Sequence, residues 1–457
     1  MDSKSGLGSI FTEKLFYRAV VGLLVGLPVL ELFTEIAYRF NNEIHPLYFV
    51  PLVLDIYGFL ATLLIVLYWF TAVPGKRKLR YSDIFYFTLL FFMVIAIIFS
   101  QNFGSFADGD LYYSENPLHF LVYFSLYLAG TLIENEKYRR NILYSFVFVA
   151  LLEGIFGFLQ TFDIELSYSV FYHVARTAYG LTQNSNFYAG MCVLFVAGVT
   201  GMYIFADQIL DSKVKEYALL AFAGFLFYTM LGSRARLAWV GFAALTVFYV
   251  ISLIVMYRKD KDAIKPAVKR TLILLGVYLA VLGIVYFFTD YIREIAVRSY
   301  WEVANGDVDK MGSDRIYNWR KGLEQIPKHW LTGVGLDNYR YVFVSCPDYQ
   351  EGMYLQDKAH NEFLHVMVTQ GIPALINYLA LLVFTGVGAV KCVLKETSAK
   401  KRAITWILLG MLITYVVQSQ FNCGIPYIAI YFWMVIGLIT PRTVIGHNKN
   451  ALNSSDL

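Results

Sequence analysis

A small set of charged and polar residues lies beside apolar stretches of the sequence, where such side chains are costly. The set is Arg176, Asn186, Arg234, Arg236, Arg315, His360 and Asn361. Guanidinium groups bind phosphate oxygens through two parallel hydrogen bonds and do not deprotonate in proteins. A neutral imidazole accepts a proton near physiological pH. Together these side chains suit group transfer from a phosphate-activated substrate.

The composition describes the environment that must position them. Of the 457 residues, 58% are hydrophobic, 17% are aromatic and only 16% are charged, whereas soluble domains have roughly a quarter charged residues. We therefore predict an all-α polytopic membrane protein. The net charge of +4 does not indicate a nucleic-acid partner, because membrane proteins use Lys and Arg for orientation.

Two further classes of protein are disfavoured by missing motifs. The four cysteines lie far apart and form no C-x-x-C pair, so the sequence predicts neither a zinc site nor a disulfide scaffold. It also contains no P-loop, which argues against an ATP-driven transporter. We expect no metal and no cofactor.

Twelve apolar stretches are each long enough to cross a bilayer core, which takes about 20 residues. They lie near 19–36, 48–72, 81–100, 117–134, 141–161, 186–206, 216–231, 236–257, 270–289, 362–390, 403–420 and 425–441. Segments on the same side as the N-terminus hold 25 of the 38 basic residues, and the short connections on the other side hold four. The positive-inside rule therefore places both termini in the cytoplasm.

The remaining nine basic residues lie in one long segment, about 290–361. We predict that it is an extracytoplasmic helical loop between spans nine and ten that carries part of the active site. Spans one to nine then occupy 1–289, spans ten to twelve occupy 362–441, and 442–457 is a cytoplasmic tail. Apolar spacing predicts an amphipathic helix over 290–306. A second helix is predicted over 312–330, closed by Pro327.

Several candidate residues also have a structural interpretation. Arg236 could be an interfacial arginine whose side chain reaches lipid headgroups, and a cation–π pair with Trp319 would account for Arg315. The stretch with Arg176 and Asn186 could be an ordinary polar loop with an asparagine helix cap. Because residues two apart on a helix point in different directions, we expect only one of Arg234 and Arg236 to face the site.

The histidines at the start of the tenth predicted span divide in the same way. His360 shares its predicted compartment with the arginines, which favours a functional role. His365 lies five residues further on and projects in another direction, so we expect it to be structural.

Three stretches carry a resemblance to a known family. They are "GSRAR" at 232–236, "GSDRIYNWRKGLEQIPKHWLTGVGLDNY" at 312–339 and "AHNEFLHVMVTQGIPAL" at 359–375. In order and spacing they resemble the O-antigen ligase and O-antigen polymerase family of bacterial surface-polysaccharide enzymes, which are membrane glycosyltransferases of the C class. "YGLTQNSNFYAG" at 179–190 resembles the stretch before a middle span of that family, with Ser185 where proline is usual. The resemblance covers about 174–441.

The resemblance implies a reaction and roles for the residues. A donor glycan on undecaprenyl diphosphate, at the outer face of the cytoplasmic membrane, would pass its reducing-end sugar to an acceptor hydroxyl without a metal. Arg234 and Arg315 would hold the diphosphate, and His360 would act as base on the acceptor hydroxyl or orient it. Beside these three residues, we predict that Arg176, Asn186, Arg236 and Asn361 bind substrate.

The acceptor remains open. Another glycan repeat would make the protein a polymerase, which we favour, a lipid A core would make it a ligase, and a protein hydroxyl would make it an O-oligosaccharyltransferase. The product would be O-antigen, capsule or exopolysaccharide, made beside other polysaccharide-assembly membrane proteins. A different interpretation is a transporter, in which the arginines bind a moving anionic lipid-linked glycan without chemistry.

Overall fold

The protein is built from α-helices. The computed structural model describes residues 13–40, 46–71, 79–102, 115–166, 175–259, 264–304, 306, 311–344 and 356–445. Within these ranges the longer helices are α1 (Glu13–Phe40), α2 (Pro46–Thr71), α3 (Tyr81–Ile98), α4 (Pro117–Leu132), α5 (Glu136–Gln160), α6 (Ser185–Ile204), α7 (Lys213–Gly232), α8 (Arg236–Lys259), α9 (Lys265–Phe288), α10 (Tyr291–Ala304), α11 (Met311–His329), α12 (Glu362–Gln370), α13 (Ile372–Lys395), α14 (Ala399–Gln418) and α15 (Pro426–Ile439). Single turns of helix lie at Ala206–Ile209, Tyr341–Val344 and Ser419–Phe421.

The helices follow the apolar stretches of the sequence. Nine helices in the described part of the chain, namely α1, α3, α5 to α9, α13 and α14, are long and apolar enough to cross a membrane. Shorter apolar helices lie within the other three predicted ranges, at 50–64, 117–132 and 426–439. The helical, multi-pass architecture is therefore confirmed, while the total of twelve spans stays a prediction.

The prediction was wrong about where the tenth span begins. The apolar run that starts at residue 362 is divided at Gly371 into α12 and α13. Gly371 has a φ of 91°, and a Cβ at this position would lie 2.5 Å from the Leu331 carbonyl oxygen. Only glycine fits this turn, and Pro373 in the first turn of α13 favours a new helix there. Asn361 therefore stands before a nine-residue helix that precedes the span.

The two helices predicted between spans nine and ten are present as α10 and α11. Pro327 does not close α11, because the helix continues to His329. A proline in the last turn interrupts little of a helix that ends two residues later. Only two residues separate the end of α9 from the start of α10, so α10 lies close to the end of an apolar helix.

The centre of the bundle is α6, in which every residue from Phe187 to Ile204 is buried. α6 packs against α5, α7, α8 and α14. α4 and α15 also approach closely, since a Cβ on Gly130 would lie 2.7 Å from the backbone of Gly437. Small residues allow this backbone contact between apolar helices. The bundle thereby fixes the first turn of α6 and the junction between α7 and α8, which carry candidate site residues.

Candidate active site

Four arginines surround a polar cavity of about 120 Å³. The first turn of α6 contributes Asn186, and the α7–α8 junction contributes Arg234 and Arg236. α10 contributes Arg298 and α11 contributes Arg315. Because guanidinium groups from three separate parts of the chain converge here, the cavity has the chemistry of an anion-binding site.

Arg234 is held tightly at the rim of this cavity. Its guanidinium pairs with the Glu294 carboxylate and lies 4.7 Å from the centre of the Tyr291 ring. It also donates a hydrogen bond of 3.3 Å to the Arg176 carbonyl oxygen. Only 10% of the Arg234 side chain is exposed. The side chain is therefore fixed by protein contacts rather than extended into lipid headgroups.

Arg236 faces the same cavity, contrary to the expectation that only one of the two arginines would do so. Arg234 lies before α8 and has a φ of 54°, so the angular spacing of a helix does not apply to the pair. Arg236 makes two hydrogen bonds with the Glu302 carboxylate, at 2.6 and 3.0 Å. This hydrogen bond pattern holds Glu302 ionised, because the Arg236 guanidinium lowers the pKa of that carboxyl.

Arg315 enters the cavity from α11 with its charge uncompensated by any described carboxylate in direct contact. Burial lowers the pKa of this guanidinium from its ordinary value, which leaves it charged at neutral pH. No cation–π pair between Arg315 and Trp319 is present among the described contacts, and the Trp319 indole N–H donates to the Ala359 carbonyl oxygen at 2.8 Å. Arg315 is therefore a candidate for direct contact with an anion.

The segment before α6 contributes unequally. The side chain of Asn186 lines the cavity, while Asn184 is the N-cap of α6 and accepts from the Asn186 N–H at 2.9 Å. The Arg176 side chain is 71% exposed and pairs with Asp163 at 3.4 Å. Of this predicted pair, only Asn186 has its side chain in the cavity lining.

Three of the seven predicted site residues have a left-handed backbone. Arg176, Arg234 and His360 have φ values of 56°, 54° and 50°. Such conformations cost of order 1–3 kcal/mol for residues other than glycine, and they persist where surrounding contacts impose them. Strained positions of this kind concentrate at ligand and active sites.

His360 is positioned by α11. The Asn318 side-chain amide donates to the Lys358 carbonyl oxygen at 2.8 Å, and the Trp319 indole donates to the Ala359 carbonyl oxygen at 2.8 Å. These bonds fix the backbone immediately before the histidine. Since Arg315 lies on the same helix, α11 sets the position of His360 relative to that arginine.

The electrostatic environment keeps the His360 imidazole neutral. Burial, together with the positive charge of Arg315, lowers the pKa of His360 to about 4. Nδ1 is buried and has no hydrogen bond partner among the described residues. At neutral pH the ring therefore carries a free lone pair that can accept a proton.

The neighbours of His360 have structural contacts. Asn361 is the N-cap of α12, and its side-chain oxygen accepts from the Leu364 N–H at 2.9 Å. His365 is buried 3.8 Å from the Glu115 carboxylate, with its ring 5.6 Å from the ring of Tyr339. His365 thus lies in the interior, in agreement with the structural role expected for it.

One comparison with known proteins matches part of the chain to a family. Residues 220–379 match the family model described as O-antigen ligase. The chain carries an O-antigen ligase domain. This confirms the resemblance for the three stretches at 232–236, 312–339 and 359–375. No curated protein is significantly similar to the chain.

The O-antigen ligase domain contains most of the site. Its range runs from α7 into α13 and includes Arg234, Arg236, Arg298, Arg315 and His360. Asn186 precedes the matched residues, although the fold brings it into the same cavity.

Sequence reasoning missed three residues of this O-antigen ligase domain. Arg298 lines the cavity, and Asn318 and Trp319 hold the backbone before His360. Arg298 had an available signal, since it follows Glu294 and precedes Glu302 by four residues each. That spacing places three charges on one side of a helix. The hydrogen bonds of Asn318 and Trp319 span 40 residues of sequence and had no local signal.

Proposed function

We propose that the protein is a glycosyltransferase that moves a glycan from an undecaprenyl-diphosphate donor to an acceptor hydroxyl. The reaction would serve polymerisation or ligation of a surface polysaccharide. The observation that carries this proposal is the arginine cavity, in which Arg315 lies close enough to His360 for its charge to lower the pKa of the imidazole. An anion site beside a neutral base suits transfer from a diphosphate.

The chemical step follows from these two parts. The acceptor hydroxyl oxygen attacks C1 of the reducing-end sugar, and the bond between C1 and the phosphate oxygen breaks. Undecaprenyl diphosphate leaves with the electron pair of that bond, and the hydroxyl proton passes to the His360 imidazole. Arg234 and Arg315 stabilise the charge that develops on the leaving diphosphate. Because guanidinium groups supply this stabilisation, the step requires no metal.

Donor binding would also activate the base. In the donor-free protein, burial and Arg315 make His360 a weak base with a pKa of about 4. A diphosphate bound to Arg315 offsets that positive charge, and an anion near an imidazole raises its pKa. His360 therefore gains basicity when the donor is in place, which couples proton transfer to donor binding.

Two orientations of the protein in the membrane would place this site differently, and the distribution of Lys and Arg favours one of them. We infer that the cavity faces the outside of the bacterial cytoplasmic membrane and that both termini are cytoplasmic. A cysteine introduced at residue 300 should then react with an impermeant maleimide added to spheroplasts, whereas one at residue 262 should react only after lysis. The opposite pattern contradicts the orientation.

The acceptor distinguishes the enzymatic alternatives. Polymerase activity needs a second glycan repeat, ligase activity a lipid A core, and O-oligosaccharyltransferase activity a protein hydroxyl. Purified protein should be supplied with one donor and each acceptor in turn, and the product analysed by mass. We expect extension of the glycan repeat.

The non-enzymatic alternative is a transporter, and the same purified protein distinguishes a transporter from a glycosyltransferase. Purified protein in detergent, given a synthetic lipid-diphosphate glycan and acceptor, should release free undecaprenyl diphosphate as the glycosylated acceptor forms. The His360→Ala protein is the matched control. Donor binding without release of undecaprenyl diphosphate in any acceptor mixture contradicts the proposed function and favours transport.

A further inference from the structure

α10 carries three charged residues on the side that meets the arginine cavity. Glu294, Arg298 and Glu302 are spaced four residues apart, which aligns them along one side of a helix. Glu294 pairs with Arg234, Glu302 pairs with Arg236, and Arg298 lines the cavity between them. One helix thus supplies carboxylate partners to two of the cavity arginines and a further guanidinium of its own.

The carboxylates divide the four arginines into two kinds. Arg234 and Arg236 each have a carboxylate in direct contact. Arg298 and Arg315 have no carboxylate in direct contact among the described residues. Four guanidinium groups and two carboxylates leave two positive charges in excess. A diphosphate esterified at both ends carries one negative charge on each phosphate, so it would neutralise this excess with both glutamates in place.

The contacts of the glutamates favour a positioning role over displacement by the donor. Glu302 also accepts a hydrogen bond from the Gly312 N–H at 3.1 Å, which ties α10 to the first turn of α11. Arg234 is nearly enclosed, and removing the partner of an enclosed charge is costly. Both glutamates therefore hold their arginines in place when the cavity is filled.

The opposite side of α10 agrees with this arrangement. Tyr300 and Val303 project away from the cavity and are 66% and 67% exposed. The last residues of α9 are also exposed and aromatic, with Phe288 82% exposed. Tyrosine is enriched where membrane proteins meet the headgroup region, and α10 has the exposed apolar side of an interfacial helix. An interfacial position of α10 would hold Arg298 at the depth at which a membrane lipid presents its phosphates.

We propose that Arg298 binds the diphosphate of the donor directly, beside Arg315, and that Glu294 and Glu302 are positioning residues for Arg234 and Arg236. This inference rests on the proposed function, because it deepens the donor site of that reaction.

Binding of undecaprenyl diphosphate to the purified full-length protein in detergent tests this assignment without requiring turnover. Arg298→Gln should weaken binding about tenfold or more, as expected for loss of a charge-assisted hydrogen bond. Arg298→Lys should recover part of the affinity, because the charge remains without the planar fork. Arg293→Gln is the matched control, since Arg293 lies on the same helix and does not line the cavity.

A second probe separates phosphate contact from a general charge effect. Relative to the wild-type protein, Arg298→Gln should reduce the affinity for undecaprenyl monophosphate less than the affinity for undecaprenyl diphosphate. Glu302→Gln should weaken binding of the diphosphate, because Arg236 loses the partner that orients it. If Arg298→Gln binds undecaprenyl diphosphate as tightly as Arg293→Gln does, the proposed role of Arg298 is overturned. Tighter binding by Glu302→Gln would overturn the positioning role and show that the glutamate competes with the donor.

The outcome for the wild-type protein keeps the two proposals apart. Wild-type protein that binds undecaprenyl diphosphate through Arg298 but transfers no glycan supports this inference and contradicts the proposed function. If the Arg298→Gln protein transfers glycan at the wild-type rate and binds donor with wild-type affinity, this inference alone is contradicted. Wild-type protein that does not bind undecaprenyl diphosphate contradicts both.

Discussion

The arginine cavity and the charged cluster of Glu115, Lys358 and Glu362 both contain charged residues, but they differ in charge balance and in exposure. In the cavity, positive charge exceeds negative charge and Arg298 is open to solvent. Close to His360 in sequence, Lys358 is 1% exposed and forms a 2.6 Å ion pair with Glu115, which lies two residues before α4. The neighbouring Glu362 carboxylate accepts from the Gly424 N–H at 3.0 Å.

The difference indicates separate duties for the two regions. An open excess of charge can bind and release an anion, whereas an enclosed and paired charge cannot exchange partners without a large penalty. Lys358 lies two residues before His360, so its ion pair anchors the segment that carries the histidine. We therefore expect changes in the cluster to alter stability and changes in the cavity to alter activity.

The largest effect should follow from breaking the enclosed ion pair. Lys358→Met leaves the Glu115 carboxylate buried without its partner, which typically costs about 3–5 kcal/mol. We expect a much lower melting temperature in detergent and little folded protein. The Glu115→Leu/Lys358→Met double variant should recover most of this loss, because neither charge then remains. A double variant as unstable as Lys358→Met would show that the ion pair is not the cause.

Arg315→Lys should give the converse result in the cavity. Lysine keeps the charge and loses the planar pair of donors, and losing a preorganised donor to a developing anion commonly costs about 10²-fold or more in rate. The rate of glycan transfer should fall by that factor with an unchanged melting temperature. We expect a similar fall in rate for Arg234→Lys. Arg320→Lys, on the same helix and outside the cavity lining, is the control. Near wild-type transfer by both cavity variants would make these arginines structural anchors.

The pH dependence should differ between the donor-free and donor-bound protein. Protonation removes the base, so each rate falls as pH drops through the pKa of His360. For the donor, kcat/KM reports the free enzyme and should stay constant down to about pH 5, since the pKa is about 4. For the acceptor at saturating donor, kcat/KM should decline at higher pH, because the diphosphate offsets Arg315. Identical profiles would contradict the coupling.

The smallest effect is expected at Asn361. Loss of an N-cap side chain costs about 1 kcal/mol. Asn361→Ala should therefore lower the melting temperature slightly and reduce the rate of glycan transfer only mildly. Asn361→Asp retains the capping oxygen and should restore stability. If Asn361→Asp transfers as poorly as a strongly defective cavity variant, then Asn361 contacts substrate in addition to capping α12.

The sequence predicts the helices well because an apolar run of about 20 residues leaves few alternatives. The break at Gly371 had a signal in Gln370, Gly371 and Pro373, but the apolar residues on both sides of it were taken as one continuous run. The common orientation of Arg234 and Arg236 was missed because it depends on a left-handed residue before α8. The pair of Lys358 and Glu115 joins residues 243 apart in sequence, and no local pattern identifies such a contact.

The residues of the candidate site also divide into those that local sequence identifies and those that only the packing of helices reveals. Arginine and histidine beside apolar stretches are conspicuous, so six of the seven predicted residues lie either in the cavity lining or at the start of α12. The four-residue spacing of Glu294, Arg298 and Glu302 was a signal for Arg298, but it did not identify what this side of α10 faces. The position of Arg298 became evident only from the packing of α10 against the α7–α8 junction through Glu294 and Glu302.

The most direct test of the account measures donor affinity and single-turnover transfer on the same preparation of His360→Ala. Without a base for the acceptor hydroxyl, transfer should fall by about 10²–10⁴-fold, while undecaprenyl-diphosphate donor binds with wild-type affinity because the arginine cavity is intact. A folded His360→Ala protein that binds donor and transfers glycan at the wild-type rate would contradict the account.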